Sequence, residues 1–277
     1  MASAEHERLE PQQPESSLWR QFAIQRRVIW AMAMRETITT YGREGLGVLW
    51  IIAEPAMFVI GVMIIFSFVD AGYINGISVA EYMAVSYPTL LFWRNGTGKV
   101  TKGIEVNRAL LHHQPLRPID IIYARIIVTF TSGAAVFIVL FPIFTFIGIT
   151  HLPYNWYYFS VGYLLVIWFS FGFVLIMAAL AELSETIERT SHIILYLMLP
   201  FCDIFFPMYV VPEPYRHYLL YFPLIDAVEC FHHGYFGPQM PTYYHLGYTI
   251  VALIFMSLLG YTLMEVSIKK VKAQGGG

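Results

Sequence analysis

Charge is scarce in this sequence. Only 13% of its 277 residues are Asp, Glu, Lys or Arg, about half the share of an ordinary soluble domain. So few charges cannot clothe a globule of this size in a water-facing surface. Cysteine is scarcer still. Cys202 and Cys230 are too few for a disulfide framework or a cysteine zinc cluster. Basic excess is also missing, with a net charge of −2 and no basic helix or RNA-reading motif, which argues against nucleic acid as a partner. Nucleotide and hydrolase signatures fail as well. Asn95-Gly96-Thr97-Gly98-Lys99 matches only the tail of a phosphate-binding loop, because Trp93 and Val100 stand where that loop needs Gly and Ser or Thr. No Gly-x-Ser-x-Gly elbow supports a hydrolase. An enzyme embedded in the membrane would need carboxylates or histidines clustered at its face, and no such cluster is visible.

What is abundant is apolar. The chain is 57% hydrophobic and 17% aromatic, with mean hydropathy +0.57, which excludes disorder and points to one all-α membrane domain over residues 18–270. A bilayer needs about 20 apolar residues per helix. Segments 48–69, 82–104, 119–149, 156–180, 191–211 and 246–268 meet that need, predicting six transmembrane helices. The third exceeds it, implying tilt, a kink at Pro142 or extension past the bilayer. In the second, Arg94, Asn95, Lys99 and Lys102 crowd one half. Lipid would not tolerate them, so that half should face protein or water.

The positive-inside rule supports this count. Sixteen of the 17 Lys and Arg fall in segments that alternate onto one side, with Arg216 the exception. Both termini are therefore expected in the cytoplasm. Residues 18–44 mix Trp19, Phe22, Ile29 and Trp30 with Arg20, Arg26 and Arg27, as in a helix lying in the cytoplasmic membrane interface. A cleaved targeting peptide does not fit, for lack of an uninterrupted apolar core. Residues 212–238 carry an apolar run too short to cross and broken by Pro223, predicting a re-entrant hairpin on the periplasmic side. Residues 1–17 and 271–277 are expected to be flexible tails.

Several polar residues are candidates for chemistry. Glu54, followed by Pro55, lies inside the first span, where a carboxylate is a functional suspect. It reads either as part of a proton relay or as a hydrogen-bonding group at the bundle's inner face. Asp203 is the only other carboxylate well within a span. Ser86, Thr89, Trp93 and Thr97 are spaced three and four apart, hence on one helical face. That stripe either packs helices or walls a wet path for a hydroxyl-rich cargo, which aromatic rings would suit. The pairs His112-His113 and His232-His233 have no Asp, Cys or third His read at ligand spacing beside them. Adjacent helical residues diverge by about 100°, so both pairs are expected to be surface or loop histidines and no metal site is expected.

From Met34 onward the sequence resembles a known family. Met34-Arg35-Glu36, Tyr41-Gly42-Arg43, Leu46-Gly47-Val48-Leu49-Trp50 and Glu54-Pro55 look like the opening signature of ABC exporter permeases for polysaccharide, the capsular branch above all. Asn107-Arg108-Ala109-Leu110-Leu111-His112-His113, Ile119-Asp120-Ile121 and Ala124-Arg125 are similar to that branch's first cytoplasmic loop and third span. Tyr221-Phe222-Pro223-Leu224, Glu229 and Gly234-Tyr235-Phe236 resemble its outer re-entrant segment. The likeness runs over about residues 18–270. Phe222 precedes Pro223 where a polar residue is common, and Glu44 replaces a small or basic residue.

The resemblance implies a transport subunit rather than an enzyme. It implies a homodimer in the bacterial inner membrane that exports lipid-linked capsular polysaccharide, powered by two copies of a separate ATP-binding subunit. ATP and Mg would belong to that partner, with no cofactor in this chain, and periplasmic and outer-membrane export components would follow. Substrate-pathway residues would be Ser86, Thr89, Trp93, Arg94, Thr97 and Lys99. Contacts to the ATPase would come from Arg26, Arg27, Arg35, Glu182, Glu185, Glu188 and Arg189, with Glu54 and Pro55 inside the membrane. An exporter of O-antigen, teichoic acid or drugs in the same superfamily is the near alternative, and an ion-coupled transporter or a membrane-embedded enzyme a more distant one.

Overall fold

The computed structural model describes residues 18–41, 47–68, 73–74, 76–101, 103–107 and 117–275. The expected tail at 1–17, the motif residues at 42–46 and the pair His112-His113 lie outside these. The described residues are helical almost throughout. Its helices are α1 (Leu18–Tyr41), α2 (Gly47–Phe68), α3 (Val79–Val100), the single turn α4 (Gly103–Val106), α5 (Pro118–Phe146), α6 (Trp156–Leu183), α7 (Glu185–Met198), α8 (Glu213–Leu219), α9 (Pro223–Phe236) and α10 (Leu246–Gly275). A small hairpin precedes α3. Its strands β1 (Tyr73–Ile74) and β2 (Ile77–Ser78) pair antiparallel, Tyr73 opposite Ser78, and turn at Gly76, whose φ of 82° suits a residue without Cβ.

The helix ends follow local chemistry. Pro118 opens α5 at a position where its missing N–H costs nothing, and Asp120 complements the dipole in the same turn. Asn155 caps α6, its side-chain oxygen accepting from the Tyr157 and Tyr158 N–H groups at 3.0 and 3.4 Å. The C-terminal helix α10 continues to Gly275, through most of the segment 271–277 expected as a tail.

Among the described residues, three stretches are long and apolar enough to cross a membrane: Pro118–Phe146, Trp156–Leu183 and Leu246–Lys270. A shorter apolar stretch, Ala56–Ile65, lies in α2. The segment 191–211, expected as a continuous span, is not one. α7 has 14 residues, about 21 Å of helix against a hydrocarbon core of roughly 30 Å. It gives way to a 3-10 turn at Leu199–Phe201. Pro200 lacks the N–H that would continue the ladder, and Asp203 then turns the chain with φ 52°. Bends and a second 3-10 turn, Met208–Val210, lead to α8.

Core packing centres on α6, which lies against both α9 and α10. The α6–α9 crossing is so close that it requires glycine on each side. A Cβ at Gly162 would stand 2.3 Å from Phe231 N, and one at Gly234 would stand 2.0 Å from Phe159 N. Small residues at helix crossings are the usual way membrane bundles gain contact without a hydrophobic drive. Around that crossing the rings of Phe159 and Phe231 stack at 4.7 Å and those of Phe137 and Tyr163 lie at 4.9 Å. The N-terminal helix α1 docks on α5. Gln25 Nε2 donates to Asp120 Oδ1 at 3.0 Å, Arg125 Nε lies 3.2 Å from Glu36 Oε1, and Ala33 packs with Ala124 and Val128.

Candidate functional site

The polar half of α3 has two faces with different surroundings. Ser86, Thr89, Trp93 and Thr97 are all at most 1% exposed, turned into the interior of the bundle. Their hydroxyls are satisfied there: Thr89 Oγ1 donates to Ser86 O at 2.6 Å, Thr97 Oγ1 to Trp93 O at 2.8 Å, and Ser86 Oγ lies 2.7 Å from His232 Nε2. Trp93 meets Phe173 edge-on at 5.9 Å, while its indole N–H finds no acceptor among the described residues.

Arg94 and Lys99 lie on the other face, which borders a cavity of about 470 Å³ between α2, α3, α5 and α7. Arg94, Asn95, Lys99, Ser132, His192 and Tyr196 give it a polar lining. Arg94 Nη2 donates to Tyr196 Oη at 3.1 Å, and its guanidinium lies 5.1 Å from the Tyr196 ring centre and 6.0 Å from that of Phe58. Aromatic rings hold a guanidinium in place without neutralising it. Lys99 belongs to the same end, where its carbonyl accepts from Arg125 Nη1 at 3.0 Å. Asp and Glu are absent from the described lining, which presents the Arg94 guanidinium, the exposed Lys99, hydroxyls and ring faces. That combination suits an anionic, hydroxyl-rich ligand.

The residues expected to meet a partner are spread over one end of the bundle. Arg26, Arg27 and Arg35 are exposed on α1. Glu185 and Arg189 pair with each other on the exposed first turns of α7, and Glu188 is half-buried beside them. Glu182 instead faces inward, its Oε1 accepting the Ile104 N–H of α4 at 3.1 Å, and Lys270 Nζ donates to Leu183 O at 2.9 Å. These bonds tie α4, the α6–α7 corner and α10 into one surface. Glu54 and Pro55 fall within α2, where their side chains lie outside the described residues.

The histidine reading needs correcting at one pair. His232 is 0% exposed on α9 rather than a surface or loop residue, and it gathers with Asp203 and Glu229, which are 1% and 0% exposed. His233 is half-buried, its Nδ1 3.0 Å from Thr242 Oγ1. A signal for this cluster was present in Glu229-Cys230-Phe231-His232, because residues three apart share a helix face. The approach of Asp203 had no local signal, since a reversal of the chain after α7 creates it. The buried carboxylates of α9 also hold the 240–246 connection: Asp226 Oδ2 accepts from Thr249 Oγ1 at 2.6 Å and His245 N at 2.8 Å, and Glu229 Oε2 accepts from Tyr243 N at 2.5 Å. Tyr235 Oη in turn donates to Glu81 Oε1 at 2.9 Å and accepts the His151 N–H at 2.9 Å, joining α9 to the start of α3.

Comparison with known proteins follows the same outline. The model of the ABC-2 type transporter family matches residues 27–236. The capsule polysaccharide export inner-membrane protein CtrC of Neisseria meningitidis serogroup B is 30% identical over 260 residues, covering 94% of this chain and 98% of that protein. The capsule polysaccharide export inner-membrane protein BexB of Haemophilus influenzae is 29% identical, covering 91% and 95%. The polysialic acid transport protein KpsM of Escherichia coli is 27% identical, covering 88% and 96%.

Proposed function

The chain belongs to the ABC-2 type transporter family, and from that membership we propose that it is the permease subunit of an ATP-driven exporter of lipid-linked capsular polysaccharide in a bacterial inner membrane. One observation carries this reading: near full-length identity of 27–30% to relatives named for capsule or polysialic acid transport. The lining of the α2–α3–α5–α7 cavity supports it physically. A polymer exposing hydroxyls and an anionic linker to its lipid would meet Arg94 and Lys99 as counter-charges and Tyr196 as a ring face. The pathway runs along this face of α3, with Ser86, Thr89, Trp93 and Thr97 forming the packed wall behind it.

Six crossings follow from α2, α3, α5, α6, the broken segment from α7 to Val211, and α10, with α8 and α9 as the re-entrant hairpin on the periplasmic side. Both termini lie in the cytoplasm, because sixteen of 17 basic residues then fall inside. α1 lies in the membrane interface, where the exposed Trp19, Phe22 and Trp30 meet lipid. Two copies of the chain form the channel, and two ATP-binding subunits dock on the end carrying Arg26, Arg27, Arg35, Glu185, Glu188 and Arg189, with Glu182 fixing that surface from behind. ATP and Mg are held by those subunits, and periplasmic and outer-membrane components receive the polymer.

Deletion of the gene tests the proposal. Polymer should disappear from the cell surface and accumulate inside, and the purified chain should hydrolyse ATP only when its ATPase is present. Unchanged surface polymer in the deletion strain would refute the export role.

A further inference from the structure

The cluster of Asp203, Glu229 and His232 has a geometry that packing does not explain. One donor atom from each lies within 4.8 Å of the others. Asp203 Oδ2 and His232 Nδ1 stand 3.3 Å apart, near the roughly 3.4 Å edge of a tetrahedron with metal–ligand bonds of about 2.0–2.2 Å. Asp203 Oδ2, Glu229 Oε1 and His232 Nδ1 are all buried, and beyond one another they have no hydrogen-bond partner among the described residues. Buried polar atoms are almost always satisfied, and two carboxylates taken out of water are costly unless a cation sits with them.

The opposite end of each side chain is held by a different part of the fold. Ser86 Oγ meets His232 Nε2 at 2.7 Å, and Tyr243 N–H donates to Glu229 Oε2. Tyr82 Oη reaches Asp203 Oδ1 at 3.4 Å and donates to the Asp203 main-chain carbonyl at 2.8 Å. In the tautomer whose Nε2–H donates to Ser86 Oγ, His232 Nδ1 turns its lone pair toward Asp203 Oδ2 at 3.3 Å. Acceptors then face acceptors, and a proton or a cation must sit between them. An outer partner fixing the second ring nitrogen is also what orients a metal-bound histidine.

We propose that Asp203, Glu229 and His232 bind one divalent transition-metal ion of the zinc class. The mixed oxygen and imidazole donors favour zinc over calcium or magnesium, which take oxygen ligands in larger number. Three protein donors leave a fourth position open to water. The ion is a staple: it ties the turn after α7, the helix α9 and, through Ser86, the middle of α3. The site stands independently of the transport reading, since it rests on this cluster alone.

The test uses the full-length chain, purified in detergent with any affinity tag removed. Elemental analysis after growth with added zinc should find roughly one zinc per chain. Chelation should lower the thermal midpoint and zinc should restore it, whereas magnesium should not. Cobalt in place of zinc should give a visible ligand-field spectrum. Glu229→Gln and His232→Gln should weaken zinc binding at least about tenfold, and Ser86→Ala, which leaves all three donors, by roughly 10–100-fold. Absence of stoichiometric zinc together with no zinc-dependent midpoint would overturn the proposal and assign the cluster to a shared proton. Undiminished zinc binding in Glu229→Gln and His232→Gln would overturn it by placing the metal elsewhere, and an equal response to magnesium would overturn the donor-class assignment. If those two variants do not fold, the wild-type titration and Ser86→Ala still decide.

Discussion

Replacing Gly234 with alanine tests how the α8–α9 unit is held against the rest of the bundle. The added methyl would stand 2.0 Å from Phe159 N and 2.4 Å from its Cα, whereas ordinary contact begins near 3.4 Å. The obstructing atoms are backbone, so no rotamer change relieves the clash and α9 must retreat by about 1.4 Å, the difference between those distances. That retreat pulls on the Tyr154 N–H bond to Tyr235 O at 3.1 Å and the Asn155 N–H bond to Gly234 O at 2.8 Å, and it opens the Phe159–Phe231 stack. Overpacking costs about 1–3 kcal/mol, and each of the two weakened hydrogen bonds adds about 1 kcal/mol. A total near 3–5 kcal/mol corresponds to a midpoint lower by roughly 6–20 °C for a chain of this size. Thermal unfolding of the purified chain in one detergent at one scan rate measures it, since membrane-protein midpoints are operational quantities. Gly162→Ala, whose methyl meets Phe231 N at 2.3 Å, should behave alike, whereas Gly247→Ala has nothing within 4 Å and should be neutral or slightly stabilising. A Gly234→Ala midpoint equal to that of Gly247→Ala would refute the close-crossing argument.

Three further outcomes are expected. Trp93→Ala removes a fully buried ring and should destabilise by roughly 3–5 kcal/mol, so complex yield and surface polymer should fall together; lost export at normal yield would instead put Trp93 in the pathway. Arg94→Gln, at a partly exposed position beside the cavity, should lower surface polymer several-fold without lowering complex yield, and unchanged polymer would remove Arg94 from substrate contact. A cysteine at the exposed Gln239 should react with an impermeant thiol reagent in spheroplasts, while one at the exposed Thr186 should stay protected; the reverse pattern would invert the topology.

Membrane residence and the order of the apolar segments were legible in the sequence, because each is a property of contiguous residues. Burial of twenty apolar side chains in a row needs no knowledge of what folds against what. The family likeness was legible for the same reason, since it rests on short blocks such as Ile119-Asp120-Ile121 and Gly234-Tyr235-Phe236. The break at Pro200 was visible as a letter, but its consequence depended on Asp203 adopting a left-handed backbone, stabilised by the Tyr82 hydroxyl from another helix. Only the tertiary structure decided which face of α3 turns inward. Ser86, Thr89, Trp93 and Thr97 share a stripe whether they line a channel or pack a wall, and the neighbours on α6 and α9 settle their burial. The same holds for Asp203, Glu229 and His232. Periodicity places the last two on one face, but a turn that folds back after α7 brings the aspartate to them, and contacts between distant segments follow from the energy of the whole packed bundle rather than from any local stretch.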